Sequence, residues 1–461
     1  MTKFKSATDY FRHKVDGVMH NFNKTTGHDE QTKEAVRKAY NHASQKYFLK
    51  ASVNGNETLN LLEQGGKLTP TTFGHLKQEL ELEFGADVVK SSGAFKGQDQ
   101  NDYPVRKVIS YIQAEEYLPA QLPIILKDSR ITLNTWEAPK IRPKQGIRVT
   151  ESRIKPWKEY LERMMPDETE RDYFERFLAI TIRRPSLSVD IAPLLRGEQG
   201  TGKNFLMDQI IAPLVGDTNA KTVELGQMMS RFRGDLFRST VLMIDELYSS
   251  QKKSADRLKV IVTQREARSD EKYEKQVQVK TYYNLIVASN SEAPLYIEEG
   301  DRRWWVPQYI RHRYSTEETS DFIAVEMVPW LENGGLQTLA NHLENLAKDT
   351  DIKMFATAPD TQSKRDIMTV DKRPEFVELL CQYLKEEEKK KSSLTLVELE
   401  ENPQFGYDQR THEAKLTRYE ISQVLKSEGW GSYRGRTNGN QQSKWRKVIV
   451  ELQDYPREKR S

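Results

Sequence analysis

The segment Leu194-Leu195-Arg196-Gly197-Glu198-Gln199-Gly200-Thr201-Gly202-Lys203-Asn204-Phe205 constrains this chain more than any other. It reads as a short apolar strand, a glycine-rich turn and a helix opening at Asn204. The glycines let the turn curl so that consecutive backbone N–H groups point inward at the positive end of a helix, which makes a phosphate cradle. The spacing G-x-x-x-x-G-K, from Gly197 to Lys203, fits the phosphate-binding loop, with Lys203 placed to reach the outer phosphates of a nucleotide. Gly197, Glu198, Gln199, Gly200, Thr201, Gly202, Lys203, Asn204 and Phe205 are therefore the candidate nucleotide-binding residues. Asn204 departs from the pattern. It stands where a Ser or Thr hydroxyl normally holds Mg²⁺, so its amide oxygen is the candidate metal ligand.

Downstream, Val241-Leu242-Met243-Ile244 runs into Asp245-Glu246. An apolar run ending in two carboxylates predicts a buried parallel strand whose tip faces a ligand crevice. Asp245 would hold Mg²⁺, and Glu246 would orient the attacking water or accept its proton. A further apolar strand, Asn284 to Ala288, ends in Ser289-Asn290-Ser291, where the Asn290 amide can contact a terminal phosphate and the lytic water. Then comes Gly300-Asp301-Arg302-Arg303-Trp304-Trp305-Val306. The planar fork of Arg302 or Arg303 suits phosphate oxygens and stays protonated; the alternative is a surface ion pair with Glu298 or Glu299. Trp304 and Trp305 are expected to serve the core on one side and an interface on the other.

Composition sets limits on the rest. A chain of 461 residues, 37% hydrophobic and 30% charged, predicts two to four soluble domains with a sizeable core. The net charge is only +3, so any nucleic-acid surface must be a local patch. One cysteine, Cys381, excludes an intrachain disulfide framework and a Cys-cluster zinc site. No apolar run approaches membrane-spanning length and Met1 to Lys5 is not followed by an apolar signal core, so a cytoplasmic setting without membrane partners is expected.

The chain divides on paper into five parts. Residues 1–120 form an accessory region, mostly helical, with Thr32 to Lys50, Leu59 to Leu62 and Phe73 to Phe84 read at helical intervals. This region is a DNA-binding module, a protein-binding module or a scaffold. Residues 121–185 are a β-containing connector followed by an amphipathic helical stretch from Trp157 to Arg183, broken at Met165-Pro166-Asp167 and read as packing. Residues 186–350 hold the nucleotide core and a helical lid, 351–373 read as a polar linker, and 374–461 as a separate domain. In that last domain, helices followed by a glycine-rich hairpin suggest a winged helix-turn-helix. Arg434, Arg436, Lys444, Arg446 and Lys447 lie on its wing, interleaved with Trp430, Tyr433 and Trp445, as a nucleic-acid surface would require. The fold class predicted is α/β, a P-loop core on a parallel sheet.

Phosphate loop, apolar strand with Asp-Glu, strand ending in Ser-Asn, then Gly-Asp-Arg-Arg: from about Pro185 to Ile310 this order resembles the superfamily 3 helicases. These are AAA+ motor proteins of viruses, phages and mobile elements. Among them the chain resembles the helicase halves of phage and poxvirus primase-helicases and the replication initiators of staphylococcal pathogenicity islands. The resemblance implies Lys203 as the phosphate-loop lysine, Asp245 with Glu246 as the acidic pair, and Asn290 as the sensor asparagine. It also implies an arginine finger, Arg302 or Arg303, that reaches a neighbour's nucleotide. ATP and Mg²⁺ are the implied cofactors. The implied assembly is a ring, a hexamer, moving 3′-to-5′ on single-stranded DNA in a bacterial host cell. Single-stranded and duplex DNA, and a primase or other replisome protein, are the implied partners. The family places a DNA-contacting hairpin before the sensor strand. In this sequence that is Asp270 to Lys280, where Lys272 and Lys275 would hold backbone phosphates and Tyr273 would stack or wedge. Two other readings stay open: an origin-binding initiator that does not unwind, and an AAA+ regulatory or remodelling ATPase.

Overall fold

The computed structural model describes residues 4–51, 56–63, 66–229, 234–247, 252–269, 277–369, 373–391, 393–408, 413–414, 416, 418–437 and 440–447. The chain opens with two helices, α1 (Ala7–Thr25) and α2 (Glu30–Lys46), whose first turns are closed by the side chains of Ser6 and Asp29. Val15, Met19 and Phe22 of α1 meet Val36, Ala39 and Tyr40 of α2 in one buried cluster. Strands β1 (Tyr47–Ala51), β2 (Glu57–Leu62) and β3 (Leu68–Thr71) follow, then helices α3 (Phe73–Phe84) and α4 (Ala86–Ser92) and strand β4 (Ser110–Tyr111). They make a four-stranded sheet in the order β3-β2-β1-β4. The helical reading of Leu59 to Leu62 is thus corrected: this stretch is strand β2, paired antiparallel with β1 from Tyr47↔Leu61 to Ala51↔Glu57. Four residues of apolar spacing do not separate the two periodicities, and the partner strand decided. The N-terminal part is α+β rather than mostly helical.

A small connector sheet comes next, β5 (Ala114–Glu116), β6 (Ile124–Lys127) and β7 (Arg130–Asn134), in the order β5-β7-β6. Helices α5 (Glu151–Met164) and α6 (Glu168–Arg183) carry the amphipathic stretch and part at Met165-Pro166-Asp167, where the Asp167 carboxylate caps the second helix.

The centre of the molecule is β8 (Ala192–Arg196), helical turns α7 (Lys203–Phe205) and α8 (Ala212–Val215) joined by π-type turns over Leu206–Ile211, β9 (Ala220–Val223), α9 (Leu225–Met229), β10 (Val241–Ile244), α10 (Lys252–Thr263), the strands β11 (Glu266–Ser269) and β12 (Val277–Lys280), β13 (Asn284–Ser289) and β14 (Trp304–Trp305). Five of these strands form a wholly parallel sheet in the order β14-β8-β13-β10-β9. Their alternating side chains enter two different cores. Leu195, Val241, Met243, Ile286 and Ala288 face α5, α6 and the later helix Leu336–Lys348. Leu194, Leu242, Ile244, Leu285 and Val287 face α10. A sheet covered on both faces explains why these strands are continuous apolar runs. Trp304 and Trp305 are both fully buried, one in each core, so neither supplies an exposed interface in this chain.

Beyond the sheet lie α11 (Thr316–Phe322), α12 (Val328–Trp330) and α13 (Leu336–Lys348), then α14 (Gln362–Thr369). The stretch read as a polar linker carries α14 and packs on the core: Phe355 is 1% exposed and Ile367 is buried with the α10 cluster. The last part has the order α15 (Arg373–Glu387), β15 (Leu394–Thr395), α16 (Leu396–Glu400), β16 (Tyr407–Asp408), β17 (Glu413–Ala414), α17 (Arg418–Ser427), β18 (Trp430–Thr437) and β19 (Asn440–Lys447). It has its own core of Val377, Leu380, Leu384, Ile421, Leu425, Trp430 and Trp445, in which Cys381 is buried. No helix among the described residues is long and apolar enough to cross a membrane.

Candidate nucleotide site

The glycine-rich turn leaves β8 under tight constraint. The Gly197 N–H donates to Ser289 O at 3.0 Å and the Glu198 N–H to Ile310 O at 2.9 Å, which ties the loop to β13 and to the strand exit beyond β14. A Cβ on Gly197 would lie 2.5 Å from Ile310 Cβ and 2.7 Å from Ile310 O, so no larger residue fits. Gly200 and Gly202 have φ of +82° and +97°, the left-handed region open to glycine. The Lys203 side chain, 7% exposed, curls back onto its own loop: its Nζ donates to Gly197 O at 2.9 Å and Glu198 O at 2.8 Å. Burial pulls the ammonium down to about 8, against the opposing pull of Asp245 and Glu198.

Beside it, Asn204 Nδ2 donates to Asp245 Oδ2 at 2.8 Å. A carboxylate only accepts, so the amide nitrogen must face it, and the amide oxygen has no hydrogen-bond partner among the described residues. This is the same division of duty that a hydroxyl performs, one donor to the acid and one lone pair for a cation. The oxygen donors of Asn204 and Asp245 suit a hard cation such as Mg²⁺. Asp245 is anchored through its N–H to Val223 O at 3.1 Å, and its Oδ1 accepts the Glu246 N–H at 2.9 Å. Glu246 itself has φ of +51°, an unfavourable conformation for a residue with a Cβ, costing on the order of 1 kcal/mol. The turn it makes leaves its carboxylate exposed at the strand tip. Asn290 follows β13, which lies between β8 and β10, so it stands between the phosphate loop and the acidic tip. Its carbonyl accepts from Tyr309 Oη at 3.0 Å, and its amide has no hydrogen-bond partner among the described residues.

Lys203, Asn204, Asp245, Glu246 and Asn290 therefore meet at the C-terminal ends of the parallel strands. Arg302 and Arg303 do not. They precede β14, whose Trp304 pairs with Ala192 at the beginning of β8. That puts them at the other end of the sheet, roughly 16 Å along the strand from the loop. The turn they sit on is stiff. Asp301 Oδ1 accepts from the N–H groups of Arg303 and Trp304, at 2.8 and 3.2 Å. Lys259 bonds Glu298 at 2.7 Å, and the buried Lys364 ammonium donates to Asp301 O. Arg303 leans on Asp301 at 3.9 Å, whereas Arg302 is exposed and makes no ion pair among the described residues.

The expected DNA-contacting residues are only partly placed. Lys272, Tyr273 and Lys275 lie outside the described residues; the β11–β12 stem that carries them is antiparallel from Glu266↔Lys280 to Ser269↔Val277. On the β18–β19 hairpin, Tyr433 pairs with Lys444 and Gly431 with Arg446, while Trp430 pairs with Lys447. Arg446 is exposed and stacks on the Tyr433 ring at 5.2 Å. Arg434 pairs with Ser443 and Arg436 with Gln441.

Three residues beside the loop carry no functional signal in the sequence. Tyr160 of α5 donates to Gly202 O at 2.9 Å, but in sequence it is one apolar step of a packing stripe. His312 Nε2 lies 2.9 Å from Gln199 O, and Arg311 pairs with Glu198 at 3.6 Å. In sequence these two sit in a charged run just past the last strand, which carries no periodic signal.

Residues 195–303 match a family described only as a family of unknown function, DUF5906. Over 200 residues the chain is 23% identical to a DNA primase-polymerase of Nitratiruptor phage NrS-1, across 42% of this chain and 26% of that protein. The chain thus spans about a quarter of the length of that curated relative. A solved structure of the NrS-1 C-terminal region in its apo form aligns over 89% of this chain and 98% of its own, at 15% identity and a TM-score of 0.50. A JCV helicase structure aligns over 46% of the chain at 9% identity, with a TM-score of 0.30. The chain is mixed α/β on a parallel sheet, similar in fold to the NrS-1 C-terminal region and, over 200 residues, similar in sequence to a phage DNA primase-polymerase.

Proposed function

We propose that this chain is an ATP-hydrolysing DNA helicase of phage-type replication, with a superfamily 3 AAA+ core that acts as a ring, a hexamer, on single-stranded DNA. The observation that carries this reading is the 2.8 Å bond between Asn204 and Asp245, which brings the phosphate loop and the acidic strand tip into one site with Lys203 and Glu246. The loop amides and Lys203 would hold the phosphates. Asn204 and Asp245 would hold Mg²⁺, whose role when bound is to neutralise phosphate charge. Glu246 would orient the water and take its proton, and Asn290 would fix the terminal phosphate. Arg302 lies too far from its own loop to serve it, which supports a role on a neighbouring copy's nucleotide. The similarity to a phage primase-polymerase supports replication as the process, and the family resemblance supports 3′-to-5′ movement, in the cytoplasm of a bacterial host.

The order helix, strand, helix, short two-stranded ribbon, helix, hairpin in residues 373–447, with sheet order β15-β19-β18, supports a winged-helix reading of the last part. Its hairpin bases would grip duplex DNA, and this unit also favours a second reading, an origin-binding initiator in which ATP drives assembly alone. The ATPase rate with and without single-stranded DNA, beside strand displacement on forked substrates, tests both. The helicase reading expects DNA-stimulated hydrolysis and displacement, with Glu246→Gln binding ATP but losing about 10² or more in turnover. DNA-indifferent hydrolysis, or wild-type turnover in Glu246→Gln, would overturn it.

A further inference from the structure

We infer that Tyr160 and His312 are positioning residues that aim the loop's amides at the nucleotide phosphates. The inference rests on the nucleotide-binding reading above and adds two residues outside the loop to it. In a trans peptide the C=O and the following N–H point in opposite directions. A donor that holds a loop carbonyl outward therefore turns the next residue's N–H inward. Two such donors are present, one on each side of the turn. Tyr160 Oη donates to Gly202 O at 2.9 Å beside the Leu206 N–H at 3.0 Å, and the two donors together orient the Lys203 N–H. His312 Nε2 lies 2.9 Å from Gln199 O, which orients the Gly200 N–H. A carbonyl can only accept, so Nε2 carries the proton, and Nδ1 faces the Thr319 hydroxyl at 2.8 Å on α11. The His312 backbone N–H also donates to Glu198 Oε2 at 3.0 Å, so this residue holds two successive loop positions.

Both rings touch the loop backbone itself. A Cβ on Gly202 would lie 3.2 Å from Tyr160 Cε2, and one on Gly200 would lie 3.7 Å from His312 Cε1. Tyr160 is 2% exposed, set between Trp157 and Phe205, and burial pushes its hydroxyl up, so it remains a donor at any working pH. Packing alone would be satisfied by phenylalanine there; the buried hydroxyl has the loop carbonyl as its partner. α5 thus supports the loop from one side and the His312–Thr319 pair from the other, and the amide nest is set before any phosphate arrives.

The test uses the full chain, with ADP binding by calorimetry and adenosine by displacement of a fluorescent ADP analogue. Tyr160→Phe and His312→Ala should each weaken ADP about five- to tenfold, the loss of one aimed donor, while adenosine, which has no phosphate, binds as before. His312→Gln keeps an N–H donor and should recover most of the loss. Unchanged ADP affinity in both variants, or equal loss of ADP and adenosine, overturns the inference and leaves the two side chains as packing. Lys203→Ala separates this from the underlying reading. If it too leaves ADP affinity at the wild-type value, the loop does not bind nucleotide, and both fall.

Discussion

If the loop holds a nucleotide as proposed, the depressed Lys203 ammonium should make its affinity depend on pH in a calculable way. In the free protein this group loses its proton near 8, because burial disfavours its charge. A bound phosphate stabilises the charged form and raises the group again. Above about pH 8, binding must therefore take up a proton, and raising the pH favours the free state. The dissociation constant scales with one plus the ratio of neutral to charged lysine, which rises about tenfold from about pH 7 to about pH 9. An ordinary lysine, near 10.4, would give almost no change over that window. Calorimetry of ADP binding in two buffers of different ionisation enthalpy reads the linkage directly, and about half a proton should be taken up near pH 8. The sign for folding follows from the same shift. The folded chain holds fewer protons than the unfolded chain between about 8 and 10.4, so this group adds stability as pH rises through that window. A dissociation constant flat from about pH 7 to about pH 9 would show that Lys203 is not desolvated as its burial against the loop implies.

Asn204→Ser keeps a donor for Asp245 and offers a hydroxyl oxygen, so the Mg²⁺ concentration for half-maximal ATPase should fall; an equal or higher requirement would show that the amide is no weaker a ligand. The two arginines should divide. Arg302→Ala should cost about 10² or more in hydrolysis with ADP affinity unchanged, and mixing it with Lys203→Ala chains should restore part of the activity. Arg303→Ala, which loses a lean on Asp301, should show as a lower melting temperature of about 1 kcal/mol equivalent; the reverse assignment of effects would exchange their roles.

The loop and the acidic strand were legible because both depend on local chemistry. Glycines at Gly200 and Gly202 are required by backbone conformation, and an apolar run ending in Asp245-Glu246 can hardly be other than a buried strand tip. What the chain does between elements was not legible. Tyr160 belongs to the stripe that packs α5, and only its Oη position relative to Gly202 distinguishes it from Tyr173 on α6. His312 reaches the loop because Ile310 bridges beside Gly197, a contact between residues far apart in sequence. Leu59 to Leu62 became a strand because Tyr47 to Ala51 supplied an edge. The polar composition of 351–369 hid Phe355 and Lys364, single buried residues with no period. Which residues pair across the β18–β19 hairpin is a matter of register, which composition does not carry.

The separation of Arg302 from the loop along β8 has a consequence for inheritance. On the proposed ring, each copy contributes to two sites, one with its loop and one with its arginine turn. A defective copy therefore harms its neighbour as well as itself. On that ring, chains carrying both Glu246→Gln and Arg302→Ala, made beside the intact protein, would spoil their own site and their neighbour's, and the defect would be dominant. A resident gene for such a chain would protect its host against an incoming element that depends on this protein.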